Sequence, residues 1–64
     1  MEPIKNARAH EARTLLTKGE VFVLVSSDGM YCACRFQDPE VVPVGRETGD
    51  YDEAVREAER AAHR

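Results

Sequence analysis

The side chains of this sequence whose type best suits chemistry are two thiols, Cys32 and Cys34. Residues two apart on a strand share a face and lie about 7 Å from each other, too far for an unstrained disulfide. A structural zinc site takes about four ligands, and these cysteines with His10 and His63 do not have the usual ligand spacing. We therefore predict that both thiols are free, reduced and buried, and that the chain holds no metal and no cofactor.

The other titratable residues do not form a catalytic set. His10 and His63 lie near the two ends of the chain, and neither has a nucleophile close to it in sequence. Gly45 and Gly49 lack the lysine and the spacing of a phosphate-binding loop. A carboxylate pair for acid–base catalysis needs a pocket, for which a 64-residue chain has little room. The sequence predicts that the protein is not an enzyme.

The carboxylates are concentrated in the second half of the chain. Residues 37–59 hold two arginines and eight carboxylates, a net charge of −6, whereas residues 1–36 have a net charge of +1. Such a block repels nucleic acid and attracts basic surfaces, although a solvated helix face often has the same composition. The carboxylates that we consider as partner-binding residues are Glu47, Asp50, Asp52, Glu53, Glu57 and Glu59.

Most of these carboxylates fall on a predicted helix that starts at Asp50. Asp50 and Glu53 have the spacing of a capping box, with aspartate in place of serine or threonine. The apolar residues that follow recur at helical spacing and are mostly small, so this helix can lie close to a sheet. They are Tyr51, Ala54, Val55, Ala58, Ala61 and Ala62. A first helix is predicted over about residues 3–18, with Pro3 in its first turn and Gly19 after its end.

The stretch EVFVLVSSDGMYCACRF predicts two strands joined at Asp28-Gly29. A two-residue turn there would pair Val25 with Cys32 and give one apolar face for the helices. That face would consist of Val21, Val23, Val25, Cys32, Cys34 and Phe36. The opposite face would expose an apolar patch, which a small monomer rarely leaves without a partner. The patch would consist of Phe22, Leu24, Tyr31 and Ala33, with Phe22 and Tyr31 as the main partner contacts.

A third strand is predicted over residues 41–46, and Pro43 restricts it to a sheet edge or an irregular path. The predicted fold is therefore α+β with the order α-β-β-β-α. It is one domain over residues 1–64, with a small three-stranded antiparallel sheet and both helices packed on one face. No apolar run approaches the roughly 20 residues of a membrane span, and the polar start of the chain does not resemble a secretion signal. We expect a cytoplasmic protein, either a monomer or a weak homodimer.

Three resemblances bear on function. The element order and length resemble a double-stranded-RNA-binding domain, a family that contacts phosphate through lysines at the start of its last helix. Here that position reads Asp50, Tyr51, Asp52 and Glu53, so direct binding of nucleic acid is not implied. DGMYCACRFQDP and TGDYDEAVREAERAA, within residues 28–62, resemble HicB-type antitoxin domains. In size and acidity the chain resembles phage-encoded inhibitors, including anti-CRISPR proteins.

These resemblances lead to two hypotheses. The first is a non-enzymatic inhibitor whose acidic helix and preceding loop occupy a basic nucleic-acid-binding site on a partner protein. The alternative is a HicB-like antitoxin, or another toxin-neutralising module, that meets its partner through the outer sheet face or an edge strand. A third possibility is a self-associating structural module whose contacts do not depend on the acidic charges. A steep loss of affinity with salt would distinguish the first hypothesis from the second, and a concentration-dependent molar mass would identify the third.

Overall fold

A computed structural model, which describes residues 3–63, shows a sheet with one chain segment on each face. The strands are β1 (Asn6–Ala7), β2 (Val21–Val25), β3 (Tyr31–Phe36) and β4 (Val41–Thr48). A 3₁₀ turn over Ala9–Glu11 leads directly into a short helix, α1 (Ala12–Leu15), and the chain ends in a longer helix, α2 (Tyr51–Ala62). The α+β class predicted from the sequence is confirmed, but its details are not.

The sheet has four strands in the order β1-β2-β3-β4 and is mixed. β1 pairs with β2 in parallel, whereas the pairs β2–β3 and β3–β4 are antiparallel. The prediction of a purely antiparallel three-stranded sheet is therefore wrong. Asn6 and Ala7, which we assigned to a long first helix, lie beside Val23 and Leu24 instead. Pairing with a strand distant in sequence has outweighed the helical spacing of this segment.

The β2–β3 hairpin closes one residue differently from the prediction. Val25 pairs with Tyr31, and Ser26 N donates to Met30 O at 3.0 Å, so three residues form the loop. Gly29 has a φ of +83°, as in a type I turn followed by a left-handed glycine. Because side chains alternate along a strand, this shift of one residue reverses the face that β3 presents relative to β2.

Both faces of the sheet are consequently buried. α2 packs on the face that carries Val21, Val23 and Ala33, which it meets through Ala54 and Ala58. The other face is covered by the N-terminal segment of the chain. The core on that side consists of Ala7, Ala12, Leu16, Phe22, Cys34 and Phe36. The two helices therefore lie on opposite faces, and the prediction of a shared face is wrong.

β4 forms one edge of the sheet, as Pro43 indicates, and its ladder with β3 is irregular. Cys32 pairs with Glu47 and Cys34 pairs with Pro43, so residues 44–46 lie opposite Ala33 alone. This bulge bends the strand beneath α2. The prediction that the third strand would lie at a sheet edge or be irregular is confirmed, and the strand, which is both, extends to Thr48.

No helix within residues 3–63 has the length and apolar character that crossing a membrane requires.

Candidate functional site

Asp50 caps the N-terminus of α2, as predicted. Its Oδ1 accepts from the backbone amides of Asp52, at 3.0 Å, and Glu53, at 3.4 Å. The reciprocal half of the capping box is replaced by a different contact, because the Glu53 carboxylate accepts from the Thr48 hydroxyl at 3.3 Å. Thr48 Oγ1 in turn accepts from the Asp50 amide at 3.1 Å. The positive end of the helix dipole is thus used by the chain's own carboxylate.

The carboxylates of α2 lie on two different sides of the helix. Glu53 and Glu57 face β4, where Glu53 contacts Thr48 and Glu57 contacts Gly45. With 3.6 residues per turn, Asp52 and Glu59 project from the opposite side. Asp52 is exposed and Glu59 is partly buried. The structure therefore separates the predicted acidic surface of α2 into a β4-facing side and an outer side.

Glu57 lies directly against the backbone of β4. A Cβ atom at Gly45 would be 3.1 Å from both Glu57 Cδ and Oε2, closer than an ordinary van der Waals contact, so glycine suits this position. Glu57 Oε1 is buried and has no hydrogen-bond partner in the structure. Beside it is a cleft of about 180 Å³ between α2 and β4, lined by Arg35, Val44, Glu57, Arg60 and Ala61.

Glu47 does not belong with the carboxylates of α2. It pairs with Cys32 across β3–β4, so it lies on the sheet face opposite to α2. Glu47 and the carboxylates of α2, which the sequence analysis grouped as candidate partner-binding residues, therefore do not share one surface. The physical reason is the alternation along β4, which the sequence could not specify while the register was unknown.

The carboxylates of the candidate site are not neutralised by contact with cations. Within residues 3–63, the one ion pair joins Lys5 Nζ and Glu20 Oε2 at 3.4 Å, far in sequence from α2. Arg56 lies within one helical turn of Asp52 and Glu59, yet it forms no ion pair with either of them. A basic partner could therefore approach these carboxylates without breaking an ion pair within the chain.

The two apolar contacts that we predicted for a partner do not share a surface. Phe22 is fully buried, with 0% of its surface exposed, and faces the N-terminal segment. Tyr31 is partly buried on the α2 face, where its ring meets the edge of the Tyr51 ring with centroids 5.2 Å apart. The predicted outer apolar face therefore does not exist, and Phe22 is a core residue.

The exposed apolar residues lie on β4 instead. Val42 and Val44 have 41% and 38% of their surfaces exposed. Val42 pairs with Arg35 on the α2 side of the sheet, and Val44 lines the cleft there. The sequence contained a signal for them, because valines alternate around Pro43 in a strand that proline places at an edge.

Both thiols are free and lie on the Phe22 side of the sheet. Cys32 is partly buried, and its Sγ donates weakly to Gly45 O at 3.5 Å. Burial, with a smaller contribution from the neighbouring Cys32, raises the pKa of the Cys34 thiol to about 12. Cys34 therefore stays protonated at neutral pH, which makes it unreactive. Among residues 3–63, no three His, Cys, Asp or Glu side chains come together in a way that could hold a metal ion.

Neither histidine lines the cleft between α2 and β4. His10 lies in the 3₁₀ turn, beside a shallow cleft of about 280 Å³ that Leu24, Val25 and Ser26 help to line. His63 follows the end of α2. Neither residue contributes to a site with the Cys32–Cys34 pair.

Comparison with known proteins does not place the chain in a family. No protein-family model matches it, and no curated protein or solved structure is significantly similar to it.

Proposed function

We propose that this protein is a non-enzymatic inhibitor that binds a basic, nucleic-acid-binding surface of a partner protein in the cytoplasm, as anti-CRISPR-like inhibitors do. The observation that carries the proposal is the set of carboxylates on α2 that form no ion pair with any cation within residues 3–63. Carboxylates that are not engaged in ion pairs attract a Lys/Arg-lined surface and repel nucleic acid itself.

The outer side of α2 is the part best placed for this contact. Asp52 and Glu59 are seven residues apart, so they project in similar directions about 10 Å apart along the helix axis. This is the axial distance that about three phosphates of one DNA strand cover. Asp50 adds a third negative charge at the start of the same helix. Two of the predicted contacts, Glu47 and Phe22, are excluded from this surface because they lie on the other side of the sheet.

The test compares two variants that change the net charge equally. Asp52→Lys with Glu59→Lys reverses the outer side of α2. Glu40→Lys with Glu47→Lys reverses two exposed carboxylates outside the helix. Each protein serves as bait in extracts of the native cell, and the captured protein is identified and then purified for titration.

The α2 variant should lose affinity for the purified partner by roughly a hundredfold, at about tenfold for each reversed contact. The control variant should lose far less. Wild-type affinity should also fall steeply between low and moderate salt, because exposed charges are screened. Equal losses in the two variants, or an affinity that does not respond to salt, would exclude the acidic surface as the binding site.

A second candidate, a HicB-like toxin-neutralising module, is favoured by a different observation. The residues that resemble HicB-type domains, 28–62, fold continuously as the hairpin end, β3, β4 and α2. They place β4 at an open edge with exposed valines, which suits the addition of a strand from a partner. For this candidate, Val44→Lys should abolish capture, whereas the reversal of Asp52 and Glu59 should leave capture intact.

A further inference from the structure

β4 and the β4-facing side of α2 form a surface that nothing within residues 3–63 covers. The outer edge of β4 has no neighbouring strand. Val42 and Val44 are exposed on the side of the sheet where α2 lies. The cleft of about 180 Å³ runs between this strand and the helix. The surface thus combines an open strand edge, two exposed valines and a row of charged side chains.

The direction of α2 relative to β4 follows from three contacts. Glu53 meets Thr48, Glu57 lies on Gly45, and Arg60 shares the cleft with Val44. As the helix advances, its contacts move backwards along the strand, so α2 runs antiparallel to β4.

Two side chains of opposite charge lie near the two ends of this surface on α2. Glu53 contacts Thr48, and Arg60 lines the cleft beside Val44. A second copy related by a twofold axis would present these residues in reverse order, so Glu53 of each copy would face Arg60 of the other. The two ion pairs that result favour this one register.

The same axis also suits the strand. The midpoint between Glu53 and Arg60 falls beside Glu57, and Glu57 lies on Gly45, next to Val44. An axis through this midpoint therefore passes near Val44 and brings the exposed valines of two copies together. Protein interfaces are usually organised in this way, with apolar contacts at the centre and polar or charged pairs around them.

We propose that a second copy of this chain is the partner of the β4 edge, in a twofold dimer held by the central valines and by intermolecular Glu53–Arg60 pairs. Pro43 has no amide donor and the bulge makes β4 irregular, so side chains supply most of the contact and association is weak. The dimer leaves Asp52 and Glu59 facing solvent, so it does not depend on the inhibitor function proposed above.

The test is the molar mass of the purified full chain, measured by sedimentation equilibrium over a wide concentration range. The wild-type protein should change from the monomer mass of 7.2 kDa towards twice that value as its concentration rises. Val44→Lys places a charge at the axis and should leave a monomer at every concentration. Glu59→Arg, on the outer side of α2, is the control and should leave the dissociation constant unchanged.

Charge exchange identifies the register. Arg60→Glu alone and Glu53→Arg alone should each raise the dissociation constant by roughly tenfold or more. The double variant should return it to near the wild-type value, because each copy again offers opposite charges. Glu53 and Arg60 are seven residues apart on one helix, so this rescue can arise only between molecules. Circular dichroism confirms that each variant is folded.

A wild-type chain that stays monomeric at its highest soluble concentration would overturn the proposal. So would a dimer that survives Val44→Lys, because it would use another surface. A double variant that remains as weak as the single variants would refute the twofold register and with it this dimer.

Discussion

Gly45 lets a carboxylate lie against the backbone of an edge strand. In Gly45→Ala the added methyl would come 3.1 Å from the Glu57 carboxylate and 3.2 Å from Glu57 Cβ. Because Glu57 Cβ is fixed by the helix, the side chain cannot simply swing away. We expect a loss of about 1–2 kcal/mol in the free energy of unfolding, measured by urea titration. The loss should shrink in a Glu57→Ala background, and an equal loss there would show that the clash is not with this carboxylate.

Two variants of Asp50 distinguish its hydrogen bonds as a helix cap from the effect of its negative charge. Asp50→Ala removes the acceptor for the amides of Asp52 and Glu53 and should lower the free energy of unfolding by about 1 kcal/mol. Asp50→Asn keeps an oxygen in the same place and should cost much less. Chemical denaturation of both variants measures the difference. If the two cost the same, the negative charge at the helix N-terminus matters more than the hydrogen bonds.

Cys34 makes the free energy of unfolding depend on pH, and its raised pKa determines the sign of that dependence. Burial raises that pKa from 9.0 to about 12, so the folded state keeps its proton at a pH where the unfolded state has lost it. The stabilisation is complete below about pH 9 and is lost progressively as pH rises toward 12. Urea titrations between pH 8 and pH 10 should therefore show falling stability, and Cys34→Ala should remove most of this slope. A slope that persists in Cys34→Ala would come from other groups.

At the scale of the elements, β2 shows why the hairpin register was not predictable. VFVLV is apolar at every position, so either alternation gives a plausible buried face, and only the turn decides between them. A continuous apolar run is typical of a strand buried on both faces. This property was visible in the sequence and argued against the exposed patch that we predicted.

The start of α2 at Asp50 and the edge position of β4 were predictable because local residues determine them. Asp50 caps through amides two and three residues away, and Pro43 restricts its own strand. β1 was not predictable, since Asn6 and Ala7 become a strand only by pairing with Val23 and Leu24. The position of Glu47, on the opposite sheet face from the carboxylates of α2, was likewise not predictable, because it depends on the register between β3 and β4.

Phe22 tests the corrected face assignment. It is fully buried between β2 and the N-terminal segment, so Phe22→Ala should cost about 3–5 kcal/mol. That is a large share of the stability of a small domain, and Phe22→Ser should unfold it. Val42→Ser, at an exposed position of β4, is the matched control and should leave the thermal transition nearly unchanged. Circular dichroism melting distinguishes the two, and a stable Phe22→Ser would contradict the two-sided core.

At the scale of the whole molecule, the negative net charge disfavours nucleic acid as a ligand. The net charge is −3, and the described part of α2 begins with carboxylates where a nucleic-acid-binding domain would place lysines. We expect no direct binding of duplex or single-stranded DNA or RNA at physiological salt. Gel mobility shift with both kinds of probe tests this expectation. Micromolar binding that weakens with added salt would argue against an acidic inhibitor and for a nucleic-acid-binding protein.

The parallel pairing of β1 has a consequence for how the molecule opens. Within residues 3–63, only Asn6 and Ala7 join the N-terminal segment to the sheet as a strand, while the β2–β3 hairpin has a longer ladder. Amide hydrogen exchange should therefore be fastest along the N-terminal segment and slowest in β2 and β3. Each opening of β1 would free an edge of β2 and uncover Phe22 together, which is the combination that initiates strand-to-strand aggregation. The resistance of this protein to aggregation would then depend on a two-residue strand at the edge of the sheet opposite to β4.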